Sequence, residues 1–223
     1  MLGPWARLQL LHPLSYLHHP WQPAKLLAVP YSRAVEPSLN SRLPTLRMKI
    51  LHCVATLDPS SGGPARSVPQ LAMALADQGV EVGLWSPQSI PTCLPDLPPD
   101  ASHRIRILSG GFREAVEEFG KPQLVHDHGI WLSCHREVAR VCRSLQIPRI
   151  VSPRGMLEPW ALNHKKWKKR LAWWLYQKRD LEAAVALHAT AESEASGLRR
   201  LGLQRPIIVA ANGVDLFRST DTR

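Results

Sequence analysis

The chain has 223 residues, of which 44% are hydrophobic, and a formal net charge of +10; this is enough for one sizeable domain with a real core, or one domain plus an appendage. The basicity is local: residues 1–47 carry a net of +4, residues 164–179 a net of +7, and the rest sums to −1. That concentration argues against a diffuse nucleic-acid-binding surface.

No apolar run approaches the roughly 18–20 residues that span a bilayer, and residues 8–17 (LQLLHPLSYL) are too short and broken for a signal core. Cys53, Cys93, Cys134 and Cys142 have no C-x-x-C spacing, so the expectation is reduced thiols in a cytoplasmic protein. Seven of the twenty prolines fall in residues 1–47, where neither helical nor strand period holds. This segment reads as a disordered extension upstream of a working start at Met48, with a targeting arm as the alternative.

From Met48 onward the periods are clear. Residues 49–57 (KILHCVATL) read as a buried strand, followed by DPSSGGP and a helix over 65–79. Pro69 would sit near that helix's first turn, where a missing N–H costs little. Residues 80–87 form a second strand, 88–101 a Pro-rich loop, 104–110 a third strand and 112–120 a short helix. Residues 122–129 (PQLVHDHG) form a fourth strand and 133–146 a helix with Val138, Val141, Cys142 and Leu145 on one side. A fifth strand over 148–153 leads into a long basic helix from about 163 to 186. A sixth strand (187–192), a helix (193–202) and a seventh strand (206–213) complete the pattern. Strands alternating with helices through short turns predict an α/β fold with a doubly wound parallel sheet, Rossmann-like.

In such sheets ligands bind beyond the carboxyl ends of the strands. DPSSGGP, HDHG, SPRG and TAESE all fall at those ends, which makes that edge the expected site. In SSGGPARS (60–67) the glycines let backbone approach a phosphate at a helix start; an ordinary glycine turn is the other reading. It is neither G-x-G-x-x-G nor a Walker loop. In VHDHGIW (125–131) the strand period puts His126 and His128 on one face and Asp127 on the other. Two histidines could share a metal only with a third ligand. His52 and His188 lie in other strands, so no metal is expected. The reading taken is a strand ending at a sugar or phosphate pocket, with His126 buried and His128 exposed to ligand. Arg154, on a turn after the fifth strand, either clamps an anionic or polyhydroxyl substrate or pairs with Glu158.

On the basic helix, Trp167, Leu171, Trp174, Leu175, Leu181 and Val185 fall on one stripe, assigned to the core. Lys165, Lys166, Lys168, Lys169 and Arg170 lie largely outside it, with Trp173 and Tyr176 among them. That face is either simply solvated or meets an anionic membrane surface. Lys165, Lys166, Lys168, Lys169 and Trp173 are the candidate membrane-surface residues. No nucleic-acid-binding signature accompanies them.

GGPARSVPQLAMALADQGVEV, PQLVHDHGIW, IPRIVSPRGMLEPWALNHKKWKKRLAWWLYQKRDLEAA, LHATAESEA and NGVDL together resemble the amino-terminal domain of family-4 glycosyltransferases of the two-Rossmann GT-B type. The likeness is closest to bacterial enzymes that build surface polysaccharides, and it covers residues 48–217. The resemblance implies retaining transfer of a hexosyl group from a nucleotide-sugar to a cell-surface polysaccharide or lipid-linked acceptor, with no cofactor beyond the donor and no protein nucleophile. Gly62 and Gly63 match the loop that touches the donor diphosphate, and His128 matches the histidine that meets the transferred sugar. Arg154 and Glu192 lie at matching strand ends on the acceptor side.

In the family, NGVD (212–215) marks the passage into a second Rossmann domain with the nucleotide pocket. Here only LFRSTDTR follows NGVD, residues 218–223 forming a tail. The expectation is therefore a single half of a GT-B fold, inactive alone, which either needs a second chain or is a remnant. A non-catalytic carbohydrate- or lipid-headgroup-binding module is the alternative.

Overall fold

A computed structural model of the chain describes residues 48–88 and 101–213. The expectations for residues 1–47, for the body of the Pro-rich loop and for the chain beyond Gly213 lie outside the described residues. β1 (Lys49–Val54) is buried along nearly its whole length, as a parallel strand covered on both faces must be. It pairs with β2 (Glu81–Ser86) on one side and β4 (Leu124–His128) on the other. β3 (Arg106–Ser109) lies beyond β2, and β5 (Arg149–Ser152), β6 (Ala186–Ala189) and β7 (Ile207–Val209) follow β4 in turn. The order is β3-β2-β1-β4-β5-β6-β7, and every pairing is parallel. This is the doubly wound, Rossmann-like sheet that the alternation predicts. The order reverses between β1 and β4, so the loops leaving these two neighbours diverge and open a crevice at their carboxyl ends.

Strand alternation sorts two faces. Leu51, Cys53 and Val125 pack with Phe112 and Phe119 of α3 (Phe112–Phe119) and Val138 and Val141 of α4 (Ser133–Ser144). On the opposite face Val54, Val82 and Leu84 pack against Val68, Ala72 and Met73 of α1 (Gly63–Asp77). Val151, Leu187 and Ala189 meet Ala195 and Leu198 of α8 (Glu192–Arg200) in a third cluster. Cys53, Cys134 and Cys142 are free and buried. Burial pushes all three thiols up, Cys142 to about 12 and Cys134 to about 11, so they pack as small neutral groups.

Two local expectations need correction. α1 begins at Gly63 with Pro64 in its first turn, so Pro69 lies inside the helix and is buried. Its missing N–H removes one i→i−4 bond from the interior rather than from the first turn. A short helix α2 (Ala101–Arg104) also precedes β3.

The basic helix differs more. It is built as α5 (Pro159–Asn163), α6 (Lys166–Ala172), a π turn (Trp173–Gln177) and α7 (Lys178–Glu182). Its buried stripe is Trp173, Gln177, Asp180 and Leu181. Trp167, Leu171, Trp174, Leu175 and Val185, assigned to the core from the sequence, are 49–68% exposed. Trp173, assigned to the outer face, is 7% exposed. The reason is hydrogen bonding. Gln177 Oε1 accepts from the Trp131 backbone N–H, Asp180 Oδ1 accepts from Arg143, and the Asp180 carbonyl accepts from Arg149. A purely apolar count misses a stripe with two polar members whose partners lie on other elements. Lys165, Lys166 and Lys168 are exposed as expected, while the Lys169 ammonium donates to the Ala161 carbonyl.

Candidate active site

The site begins with register. β1 and β4 pair so that His52 faces His126 and Val54 faces His128. Alternation then puts His52, His126 and His128 on the α1 face, and Asp127 on the other. Asp127 is fully buried there, accepting from His135 Nδ1 at 2.6 Å and from Arg149 at 3.3 Å. This back-side anchoring holds the strand so that both histidines project forward.

Arg154 sits on the turn after β5 with φ 55°, followed by Gly155 at φ 73°. The turn is tied to the next strand's loop by Glu194. One of its carboxylate oxygens accepts from the Gly155 N–H at 2.7 Å, and the other from the Thr190 N–H at 2.7 Å and Thr190 Oγ1 at 3.0 Å. So held, the Arg154 guanidinium donates to His128 Nδ1 at 2.8 Å and also to Asn212 Oδ1. It does not pair with Glu158.

The tautomers follow. A guanidinium only donates, so His128 Nδ1 is the acceptor and a neutral His128 carries its hydrogen on Nε2. That hydrogen is donated to His52 Nδ1 at 3.0 Å, which leaves the His52 hydrogen on Nε2. The two rings are nearly coplanar, 19° apart, as an in-plane bond requires. Burial, reinforced by neighbouring charges, lowers His52 to about 3, His126 to about 2 and His128 well below the ordinary range. Burial also lowers Arg154. The result is a directed chain, Arg154 to His128 to His52, neutral beyond its first member.

The histidine cluster corrects the sequence reading twice. First, His52 does join the pair: one ring nitrogen from each of His52, His126 and His128 lies within 4.8 Å of the others, and His126 also meets the edge of the His188 ring at 5.2 Å. Three neutral imidazoles could in principle hold a cation. Here, however, both His128 nitrogens are engaged within the chain and a guanidinium sits against it. Second, His128 is 1% exposed, while His126 is half-buried and borders a cavity of about 410 Å³. Expected burial and exposure are exchanged, because Arg154 covers the strand tip.

That cavity lies between α1 and the forward face of the sheet. Its lining includes Ser67, Leu71, His126, His188, Ile208 and Asn212, but none of Gly62, Gly63, His128, Arg154 or Glu192. Asn212 and His126 join it to the rim. Of the lining groups, Ser67 Oγ, His126 Nε2 and His188 Nδ1 are buried without a partner among the described residues. Such groups suit a ligand rich in hydroxyls.

The remaining site residues divide. Gly62 (φ 109°) and Gly63 open α1 after a 3-10 turn over Pro59–Ser61, and a Cβ built at either meets nothing within 4 Å. Backbone there is accessible, at the helix start beside the β1–β4 crevice. Glu192 is exposed and paired with Arg199 at 2.9 Å on its own helix. Glu194, two residues on and buried, is the one that shapes the rim, and sequence reasoning missed it. TAESE carried the signal of a carboxylate near a strand end, but not which of its two glutamates turns inward.

A Rossmann-like unit with its polar rim at the strand-order reversal is the class that fold and site define. The chain belongs to glycosyltransferase family 4, whose family model matches residues 61–218. Among solved structures, Anabaena Alr3699/HepE in complex with UDP-glucose is similar at 15% identity and a TM-score of 0.53, over 76% of this chain and 45% of that one. The complex of the same protein with UDP and glucose matches at 15% identity and a TM-score of 0.52, again over 76% and 45%. The chain thus spans under half the length of these structures, and at such identities the likeness concerns the fold. No curated protein matches the chain.

Proposed function

We propose that this rim is the acceptor-side wall of a glycosyltransferase active site, one that moves a hexosyl group from a nucleotide-sugar to a glycan or lipid-linked acceptor with retention of configuration. The observation that carries this is the Arg154–His128 bond at the β1–β4 crevice. The Anabaena neighbours hold UDP-glucose, or UDP and glucose, which supports a nucleotide-sugar as donor. The N–H groups opening α1 at Gly62 and Gly63 approach the donor diphosphate. Arg154, expected on the acceptor side, also supplies positive charge to the donor in this reading: it leaves His128 for the diphosphate and stabilises the charge that develops on the leaving group. His128 Nδ1 is then free to accept from a hydroxyl of the transferred sugar, while Nε2–H stays on His52 and fixes the ring. No nucleophile from the chain takes part. The incoming hydroxyl attacks on the face that the diphosphate leaves, and the departing phosphate oxygen takes its proton.

A second Rossmann-like unit, on this or another polypeptide, supplies the nucleotide pocket, so residues 48–213 alone bind without turnover. Titrating the chain with UDP-glucose and other nucleotide-sugars, followed by NMR, tests the reading. Perturbations should centre on Gly62, Gly63, His128 and Arg154 and vanish in Arg154→Ala. Perturbations confined to other faces, or turnover by residues 48–213 alone, would contradict it.

A further inference from the structure

The segment 159–178 exposes an apolar face that none of the other described residues covers. Trp160 is 74% exposed, Trp167 64%, Leu171 54%, Trp174 68% and Leu175 66%. The last four, at spacings of four, three and one, share one side of the α6–π-turn helix. Its opposite side is fastened down by Trp173, Gln177, Asp180 and Leu181, so this helix cannot roll to hide them. Three exposed tryptophans on one short stretch exceed what scattered surface hydrophobics require.

Charge says what covers the face. Residues 164–179 carry seven Lys/Arg and no Asp/Glu, and Lys165, Lys166, Lys168 and Lys178 are exposed around the apolar side chains. The Lys168 ammonium lies 5.4 Å from the centre of the Trp167 ring. Tyr176 and Arg179 lead into a cavity of about 620 Å³ that Arg136, Arg140 and Arg143 also border, together with Glu137 and Asp180. A second copy presenting the same face would set these lysines against their own counterparts, which argues against self-association. Tryptophan with leucine, ringed by lysine and lying along a helix, matches the interfacial zone of an anionic bilayer. Among the described residues no helix is long and apolar enough to cross a membrane.

We infer that this helix docks the protein flat on an anionic lipid surface, with Trp160, Trp167, Leu171, Trp174 and Leu175 entering the headgroup boundary and the lysines pairing with lipid phosphates. Apart from Trp160, the apolar members are residues that a helical count assigns to the core, so the anchoring face is not the one the sequence suggests.

The test is co-sedimentation of the full chain with phosphatidylcholine vesicles, with and without phosphatidylglycerol, in the absence of any sugar donor. It therefore reports on this face and not on transfer. The chain should pellet with anionic vesicles and much less with zwitterionic ones. W167S/W174S should weaken binding at least about tenfold, and K165E/K168E should weaken it comparably at low salt. Circular dichroism should show both variants folded, since these side chains are exposed. A chain that stays in the supernatant, or a folded variant of either kind that binds like wild type, would overturn the inference. So would a stable dimer that forms without vesicles and dissolves in W167S/W174S, because it would make the face a protein interface.

Discussion

Arg154 donates to His128 Nδ1 across 2.8 Å from a backbone held in the left-handed region, at φ 55°. Non-glycine residues occupy that region uncommonly, and the surroundings must hold them there. Glu194, through Gly155 and Thr190, does so. A strained turn, a buried carboxylate and a neutral histidine thus act as one unit at the rim.

Arg154→Ala removes the donor that sets the His128 tautomer. Nitrogen chemical shifts should show Nε2–H as the single form in the native chain and a mixture in the variant. With the nearby positive charge gone, His128 should also titrate at a higher pH, though burial still keeps it below its ordinary value. Arg154→Lys should restore little, since one ammonium cannot span both His128 and Asn212 as a planar fork does. A native His128 carrying its hydrogen on Nδ1 would contradict the assignment.

Acid should destabilise the fold early. His52, His126 and His128 have depressed values when folded and ordinary ones, near 6.5, when unfolded. Above about pH 7 both states are neutral and these groups contribute no pH dependence. As pH falls through about 6.5 the unfolded chain takes up protons that the folded chain refuses, so stability falls with pH. From about pH 7.5 to 5.5 each histidine should cost about 1.4 kcal/mol, roughly 4 kcal/mol for the three. Urea unfolding at the two pH values measures it, and His126→Asn should remove about a third of the slope.

Asp127→Ala should be among the most damaging single changes in the sheet. It strips the carboxylate from Arg149, which is 6% exposed, and from His135 together. Leaving a buried guanidinium without its counter-charge costs about 3–5 kcal/mol, a large part of an ordinary domain's stability. Replacing both partners, as Asp127→Leu with Arg149→Met, should recover part of the loss. A single-variant loss below about 1 kcal/mol in urea unfolding would show that the network is not anchored as described.

Glu194 and Glu192 should separate cleanly. Glu194→Ala frees the Gly155 and Thr190 N–H groups and should cost about 2–3 kcal/mol, with a weakened Arg154–His128 bond visible in the His128 nitrogen shifts. Glu194→Gln keeps part of the contact and should lose less. Glu192→Ala, which removes only an exposed ion pair, should stay within about 0.5 kcal/mol of the native chain. Equal effects at the two positions would refute the assignment of Glu194 to the rim.

Much of this was legible in the residues. The seven strands and the helices between them follow from runs such as KILHCV and REVARVC, whose periods are local properties of the chain. The opposed directions of His126 and Asp127 needed only strand alternation. The basic helix was located but turned the wrong way: its buried side contains Gln177 and Asp180, and their partners Trp131, Arg143 and Arg149 lie 31–46 residues away. A count of apolar spacing has no access to such partners.

The sequence by itself determined the fold class, the parallel order of elements and the edge where polar loops collect, because hydrophobic period and turn chemistry act between residues close in the chain. Only the tertiary structure decided that His52 hydrogen-bonds His128 across 76 residues, that Arg154 caps the strand tip, and that Glu194 rather than Glu192 holds it there. Those contacts depend on register between strands and on the angle at which separate loops meet, to within an ångström or so. Hydrogen bonds form or fail on that scale, and no local pattern encodes it.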